Sequence, residues 1–233
     1  MRQGIIPLPG FYEFPDFDLA AATTALLIID MQKVDAHPEH GLAVRAREAG
    51  RFEQWSYYFD RLASTVVPNI AALQRHCREV GIEVIHIVLG AFTRDRREVI
   101  WHRRQRQLVP PRDSSEFDII EPLQPRGDEI VIAKTSSGAF NSSPLDQILR
   151  NLRIETLIVT GVVTNFCVET TVRDAGDRGF NVVLVDDGCA ARNEADHRYA
   201  LRILEHAYCK VKTTAQVLEQ IASPAPQPAQ SRT

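Results

Sequence analysis

Thr24-Ala-Leu-Leu-Ile-Ile-Asp30 is a short apolar run that ends in a carboxylate. Its apolar residues are continuous rather than alternating, which suits a strand buried on both faces of a parallel sheet. Ile82–Val88, Glu129–Ala133, Thr156–Thr160 and Asn181–Val185 read the same way, and Lys210–Lys212 adds a short sixth strand. Helical patterns lie between most of them. Phe59, Leu62, Val66, Ile70, Leu73 and Cys77 step by three or four residues and draw one apolar stripe. Pro68 inside that stripe predicts a kink or a helix that begins there, and Gly81 ends it. Pro144–Leu152 reads as a short helix, with Ser143 as N-cap and Pro144 in the first turn. Asn165–Arg178, Ala195–Tyr208 and Ala215–Ile221 are further helices. Strands alternating with helices predict an α/β fold of three layers, a parallel sheet with right-handed crossovers and helices on both faces. One domain is expected over residues 1–222, followed by a disordered Pro-, Gln- and Ser-rich tail at 223–233.

The 233-residue chain is 44 % hydrophobic and 24 % charged, ordinary values for a globular protein. A net charge of -3 gives no global electrostatic case for nucleic acid. No apolar run approaches the roughly 20 residues of a membrane span. Met1–Asp18, with Pro7, Pro9, Glu13, Pro15 and Asp16, does not read as a signal peptide, so a cytoplasmic location is expected. Cys77, Cys167, Cys189 and Cys209 lack CxxC pairing and zinc spacing, so they read as thiols rather than a disulfide framework.

Function is sought where strands end. The first strand ends at Asp30, the third at Lys134, and the fourth at Gly161, after which a turn delivers Cys167 at the start of a helix. A thiol attacks as its thiolate. The helix N-terminus and Lys134 are both expected to favour that form at Cys167. Asp30 suits the transfer of the thiol proton to a leaving amine. Backbone N–H groups between Gly161 and Cys167 suit an oxyanion. Each residue alone also has an ordinary reading: a loop cap, a surface lysine, a buried helix thiol. Gln32–Trp55 and Gly90–Gly127 are long for connections of this fold and follow strand ends on the ligand-binding side, as functional covers or interaction surfaces do.

Leu27-Ile-Ile-Asp30-Met-Gln32, Ala133-Lys134-Thr-Ser-Ser-Gly-Ala-Phe140 and Gly161-Val-Val-Thr-Asn165-Phe-Cys167-Val-Glu169-Thr-Thr-Val-Arg-Asp-Ala175 together resemble the isochorismatase-like cysteine hydrolases, over about Ala25 to Tyr208. The third motif is the most specific. The resemblance implies a six-stranded parallel sheet of order 3-2-1-4-5-6, Rossmann-like, and a triad of Asp30 as proton shuttle, Lys134 as cation and Cys167 as nucleophile. It also implies a cis peptide at Val162–Val163, with the N–H groups of Val163 and Cys167 as oxyanion hole. Isochorismatases proper lack the cysteine. Leu89–Asp95 lacks the Asp-x-His metal motif of nicotinamidases. What remains resembles the ureidoacrylate, biuret and N-carbamoyl amidohydrolase branch, with no metal or cofactor. Ser136–Asp146 resembles the ureidoacrylate hydrolases in particular.

That branch implies a small amide or ureido substrate, cleaved at a C–N bond through a thioester. The alternatives are an isochorismatase-type hydrolase of the same fold and a member that only binds a ligand. Gln32, Phe140 and Asn165 are candidate substrate contacts, and Gln32 and Phe140 equally suit packing. An arginine of Trp101–Gln107, with Arg104 as the candidate, could hold a substrate carboxylate; the stretch also suits a solvated basic loop or a subunit contact. Asp35, His37 and His40 could be offered as a metal cluster but suit a solvated loop better. Trp55, Tyr57, Tyr58 and Phe59 suit a pocket wall, helix packing or an oligomer interface. A homodimer or homotetramer is expected.

Overall fold

The structure, a computed structural model, describes residues 14–222 except 106, 108 and 206. The expected tail at 223–233 and the first residues of the N-terminal stretch lie outside the described residues. The strands are β1 (Thr24–Ile29), β2 (Glu83–Leu89), β3 (Ile130–Lys134), β4 (Thr156–Val162), β5 (Asn181–Ala190) and β6 (Lys210–Lys212). They form one parallel sheet of order β3-β2-β1-β4-β5-β6, the expected order. The described helices are α1 (Lys33–Ala36), α2 (Gly41–Glu48), α3 (Ser56–Arg61), α4 (Val67–Val80), α5 (Trp101–Gln105), α6 (Leu145–Asn151), α7 (Glu169–Asp177), α8 (Glu194–Glu205) and α9 (Thr214–Ala222).

The continuous apolar run of β1 has its cause in burial on two sides. Leu26 and Ile28 join a core with Leu62, Ile70 and Leu73 on the α3–α4 side. Ala25, Leu27 and Ile29 join a second core with Leu145, Leu149 and Val172 of α6 and α7. Each residue of this strand therefore has an apolar neighbour, and alternation has no place in it.

Pro68 falls in the first turn of α4, as the helix-start reading expects. A wider π turn spans Leu62–Val66 between α3 and α4, and the Val67 N–H donates to the Leu62 carbonyl. Shifting the hydrogen-bond ladder just ahead of the proline absorbs its missing donor. Gly81 then takes a left-handed conformation, φ 78°, at the end of α4. α6 begins one residue later than expected, with Pro144 rather than Ser143 as its N-cap, and the Ser143 hydroxyl just before it accepts from the Leu145 N–H at 3.2 Å.

The two long connections close over the carboxyl edge of the sheet. Gln32 and Ile119 form an antiparallel bridge, the Lys33 N–H donates to the Asp118 carbonyl at 2.8 Å, and the Ile120 N–H donates to the Met31 carbonyl at 3.0 Å. Among the described residues, no helix is long and apolar enough to cross a membrane.

Candidate active site

β1 and β4 are neighbours on either side of the point where strand order reverses, the usual ligand crevice of an open α/β sheet. Asp30 stands at the end of β1, with φ 53°. Gly161 pairs with Ile29 at the end of β4, with φ 112°, and a Cβ there would lie 2.1 Å from the Ile29 carbonyl oxygen. Only glycine lets the two strands approach this closely. The Val162–Val163 peptide is cis, as the resemblance implies. A π turn over Thr164–Val168 follows, leading into α7, and it carries Cys167. The N–H groups of Phe166 and Val168 both donate to the Val163 carbonyl, while the Cys167 N–H between them does not share that acceptor.

Lys134 comes from farther away. β3 is the edge strand, separated from β1 by β2, a span of roughly 9–10 Å at ordinary strand spacing. The lysine stem crosses it, and Nζ donates to Asp30 Oδ2 at 2.8 Å and to the Ser136 carbonyl at 3.0 Å. Asp30, Lys134 and Cys167 are 1 %, 0 % and 6 % exposed. Asp30 Oδ1 is buried with no hydrogen-bond partner among the described residues. One carboxylate oxygen is thus held by the ammonium, and the other is left to accept a proton.

Electrostatics correct one expectation. The Cys167 thiol is not poised as a thiolate. It is pushed up to about 12: burial raises it most, the nearby cations Lys134 and Arg103 only partly oppose this, and the Asp30 carboxylate adds to the rise. Burial alone would lower Lys134, but Asp30 and Cys167 beside it hold its ammonium above the ordinary lysine value. The resting site is therefore an ion pair beside a neutral thiol.

The turn is braced from behind by groups that no motif announced. Thr164 Oγ1 lies 2.9 Å from Nδ1 of His197, a buried residue of α8. His197 Nε2 lies 2.9 Å from Asp186 Oδ1 on β5, which also accepts from Arg61 Nη2 at 3.0 Å. Arg61 Nε donates to the Cys189 carbonyl at 2.9 Å. Thr171 Oγ1 donates to the Cys167 carbonyl at 2.7 Å and accepts the Ala139 N–H at 3.2 Å, joining the turn that carries Cys167 to the loop after β3.

The substrate-side candidates fare differently. Gln32 is fully buried; its amide donates to the carbonyls of Leu89 and Phe117, and its Oε1 accepts from the Leu89 N–H at 2.6 Å. It holds the two long connections together, and its amide is saturated by backbone. Phe140 is buried against Phe180, ring centroids 5.8 Å apart, with the Arg178 guanidinium over its face. It is a packing residue rather than a pocket wall, because Phe180 precedes β5, at the end of the sheet away from the site. Asn165 is half-buried, and its Oδ1 is buried without a partner among the described residues. Arg104 is half-buried, while its neighbour Arg103 donates to Ser137 Oγ and is the arginine whose charge acts on Cys167. The pattern Arg103-Arg104 signals a cation here, but adjacent helix positions face about 100° apart, so spacing could not choose between them.

The sequence offers Asp35 as part of a metal cluster or, better, of a solvated loop; it lies on α1, and the described residues contain no such cluster. It instead belongs to the site's charge environment. Burial, then repulsion from Asp30, pushes its carboxyl up to about 7, against Lys134, Arg45 and Arg103. Buried Tyr58 donates to the Asp35 carbonyl at 3.0 Å, and Tyr58 packs edge-on against Trp55 and Phe59.

A parallel sheet of this order with an acid, a lysine and a cysteine at its switch point defines an isochorismatase-like α/β hydrolase. The isochorismatase-domain family model matches residues 24–216, and the chain belongs to that family. It is 30 % identical over 222 residues to a ureidoacrylate amidohydrolase RutB of Methylorubrum extorquens, covering 88 % of this chain and 84 % of that protein. It is 26 % identical over 162 residues to the N-carbamoylsarcosine amidase of an Arthrobacter species, covering 67 % and 61 %. Among solved structures, a cysteine hydrolase from Pseudomonas syringae pv. phaseolicola superposes with a TM-score of 0.73 at 26 % identity, covering 91 % of this chain and 96 % of that one.

Proposed function

We propose that this family member hydrolyses a C–N bond of a small amide or ureido compound through a thioester on Cys167. The observation that carries the proposal is the divided Asp30 carboxylate, one oxygen bound to Lys134 at 2.8 Å and the other unpartnered in a buried site that also holds Cys167. The amidohydrolase names of its relatives support the bond type.

A neutral thiol implies that proton transfer and attack are coupled. As Sγ bonds to the substrate carbonyl carbon, its proton passes to Asp30 Oδ1. Lys134 balances the Asp30 carboxylate whenever Asp30 is ionised, before each proton is taken and after it is given up. The carbonyl oxygen becomes an oxyanion, for which the N–H groups of Val163 and Cys167 are the proposed donors. Collapse breaks the C–N bond, and the proton on Asp30 goes to the departing nitrogen. Water then adds to the thioester, giving a proton to Asp30. The C–S bond breaks as that proton returns to sulfur, and the thiol is restored.

The test is ammonia release from a panel of ureido acids, biuret and simple amides. Cys167→Ala is expected to lower turnover at least about a thousandfold, with Cys167→Ser similarly impaired. Full activity in Cys167→Ala would remove the nucleophile from this role.

A further inference from the structure

The Val163 and Cys167 N–H groups, the proposed oxyanion donors, lie on either side of Thr164, whose side chain is fully buried. Among the described residues, one side-chain hydrogen bond reaches residues 163–166 from a distant part of the chain: Thr164 Oγ1 lies 2.9 Å from His197 Nδ1. The far end of the turn is held from the helix that continues it, where Thr171 Oγ1 donates to the Cys167 carbonyl. The geometry of the segment between the two N–H groups therefore depends on where His197 holds the Thr164 hydroxyl.

His197 is 2 % exposed on α8, and its ring is held from both edges. Nε2 lies 2.9 Å from Asp186 Oδ1. The hydrogen bond to His197 most of all, with Arg61 adding to it and burial opposing, keeps the Asp186 carboxyl below its ordinary value, so it is ionised and only accepts. Asp186 is fixed in turn. Arg61 Nη2 donates to its Oδ1 at 3.0 Å and to its carbonyl at 2.9 Å, and Arg61 Nε donates to the Cys189 carbonyl at 2.9 Å. Arg61 Nη2 and His197 Nε2, 2.9 Å apart, thus converge as two donors on one carboxylate oxygen. Nδ1 is left to the Thr164 hydroxyl, which can donate or accept. Cys189 itself pairs with Gly161, just ahead of the turn. Charged and polar side chains from α3, β5 and α8 therefore end on one buried hydroxyl. Plain packing would be met by apolar groups here; a fully paired polar network instead fixes a single geometry.

We propose that His197 is a positioning residue for the oxyanion-binding turn: acting through the Thr164 hydroxyl, it fixes the Val163 and Cys167 N–H groups where the substrate oxygen develops its charge. This rests on the proposed cysteine hydrolysis and adds the device that aligns its oxyanion donors. Asp186 and Arg61 hold the ring in place and act through it.

The experiment measures kcat and KM on ureidoacrylate, N-carbamoylglycine and biuret for the native protein, Thr164→Val, Thr164→Ser, His197→Asn, His197→Gln and the double variant Thr164→Val, His197→Asn, each well below its melting temperature. Thr164→Val keeps the shape and loses the hydroxyl, so it should lower kcat about ten- to a hundredfold with KM within about threefold. Thr164→Ser should recover most of that loss. An Asn amide reaches the place of Nδ1 and a Gln amide that of Nε2, so His197→Asn should keep a higher kcat than His197→Gln. The double variant should match Thr164→Val within about threefold, because both changes break one path. Alkylation of Cys167 by iodoacetamide forms no oxyanion, so its rate should stay within about twofold of native in every variant. A native kcat in Thr164→Val, fully additive losses in the double variant, or an alkylation rate that falls in step with kcat would overturn the positioning role and leave the cysteine hydrolysis standing. A native protein without Cys167-dependent turnover on this panel would overturn both.

Discussion

At the scale of single residues, the site depends on a buried ion pair and a buried thiol. Lys134→Met would leave the Asp30 carboxylate unpaired at a position 1 % exposed, which is expected to cost about 3–5 kcal/mol in denaturant unfolding. The double variant Asp30→Asn, Lys134→Met should be less destabilised than the sum of its parts, because the pair is removed together; strict additivity would contradict the direct coupling at 2.8 Å. The thiol makes a kinetic prediction. With its pKa pushed to about 12, alkylation of Cys167 by iodoacetamide should be slow at neutral pH and climb roughly tenfold per pH unit through the alkaline range. A plateau near neutrality would mean a preformed thiolate. Sequence position suggested that thiolate, since Lys134 and a helix start are readable from the chain. What overrides them is desolvation by covering segments far away in sequence, which no local pattern records.

At the scale of elements, the strands were legible because burial on two faces leaves a continuous apolar run, as in β1. β5 was read too short. It continues through Asp186, Asp187 and Gly188 to Ala190, and the polar residues hide that extension. Those residues matter, since Asp186 anchors His197 and through it Thr164 in the turn that carries Cys167. His197→Ala should cost about 1–3 kcal/mol by leaving buried polar groups unpaired, read by thermal or denaturant melting; an unchanged melt would contradict the bracing. Gly161→Ala is expected to be more damaging, since the new Cβ meets the Ile29 backbone at 2.1 Å. Native-like folding in that variant would contradict the close approach of β1 and β4. The motif residues that bring Asp30, Lys134 and Cys167 together were legible. The distance Lys134 must span was not, because sheet order is not written in any one strand.

At the scale of the molecule, pH reports on buried groups of both kinds. The Asp35 carboxyl, raised from 3.8 to about 7, stays protonated in the folded protein after it ionises in the unfolded chain. Its effect on stability is therefore absent below about pH 4, where both states are protonated, and grows as an unfavourable term between there and pH 7. Stability on this account falls as pH rises across that window. Asp35→Asn should flatten the fall in melting temperature there; an unaltered slope would assign the fall to other groups. The buried thiols act with the same sign at higher pH. Cys77 and Cys167, raised from 9.0 to about 12, with Cys189 and Cys209 raised as well, make stability fall above about pH 9.

Nucleophilic catalysis by Cys167 is tested most directly by rapid acid quench of the native protein turning over an active ureido or amide substrate, followed by mass spectrometry of the Cys167 peptide. A substrate-derived acyl group on Cys167 is predicted, absent from the same peptide when substrate is withheld. Sustained turnover with no adduct on Cys167, and undiminished activity in Cys167→Ala, would contradict attack by this thiol.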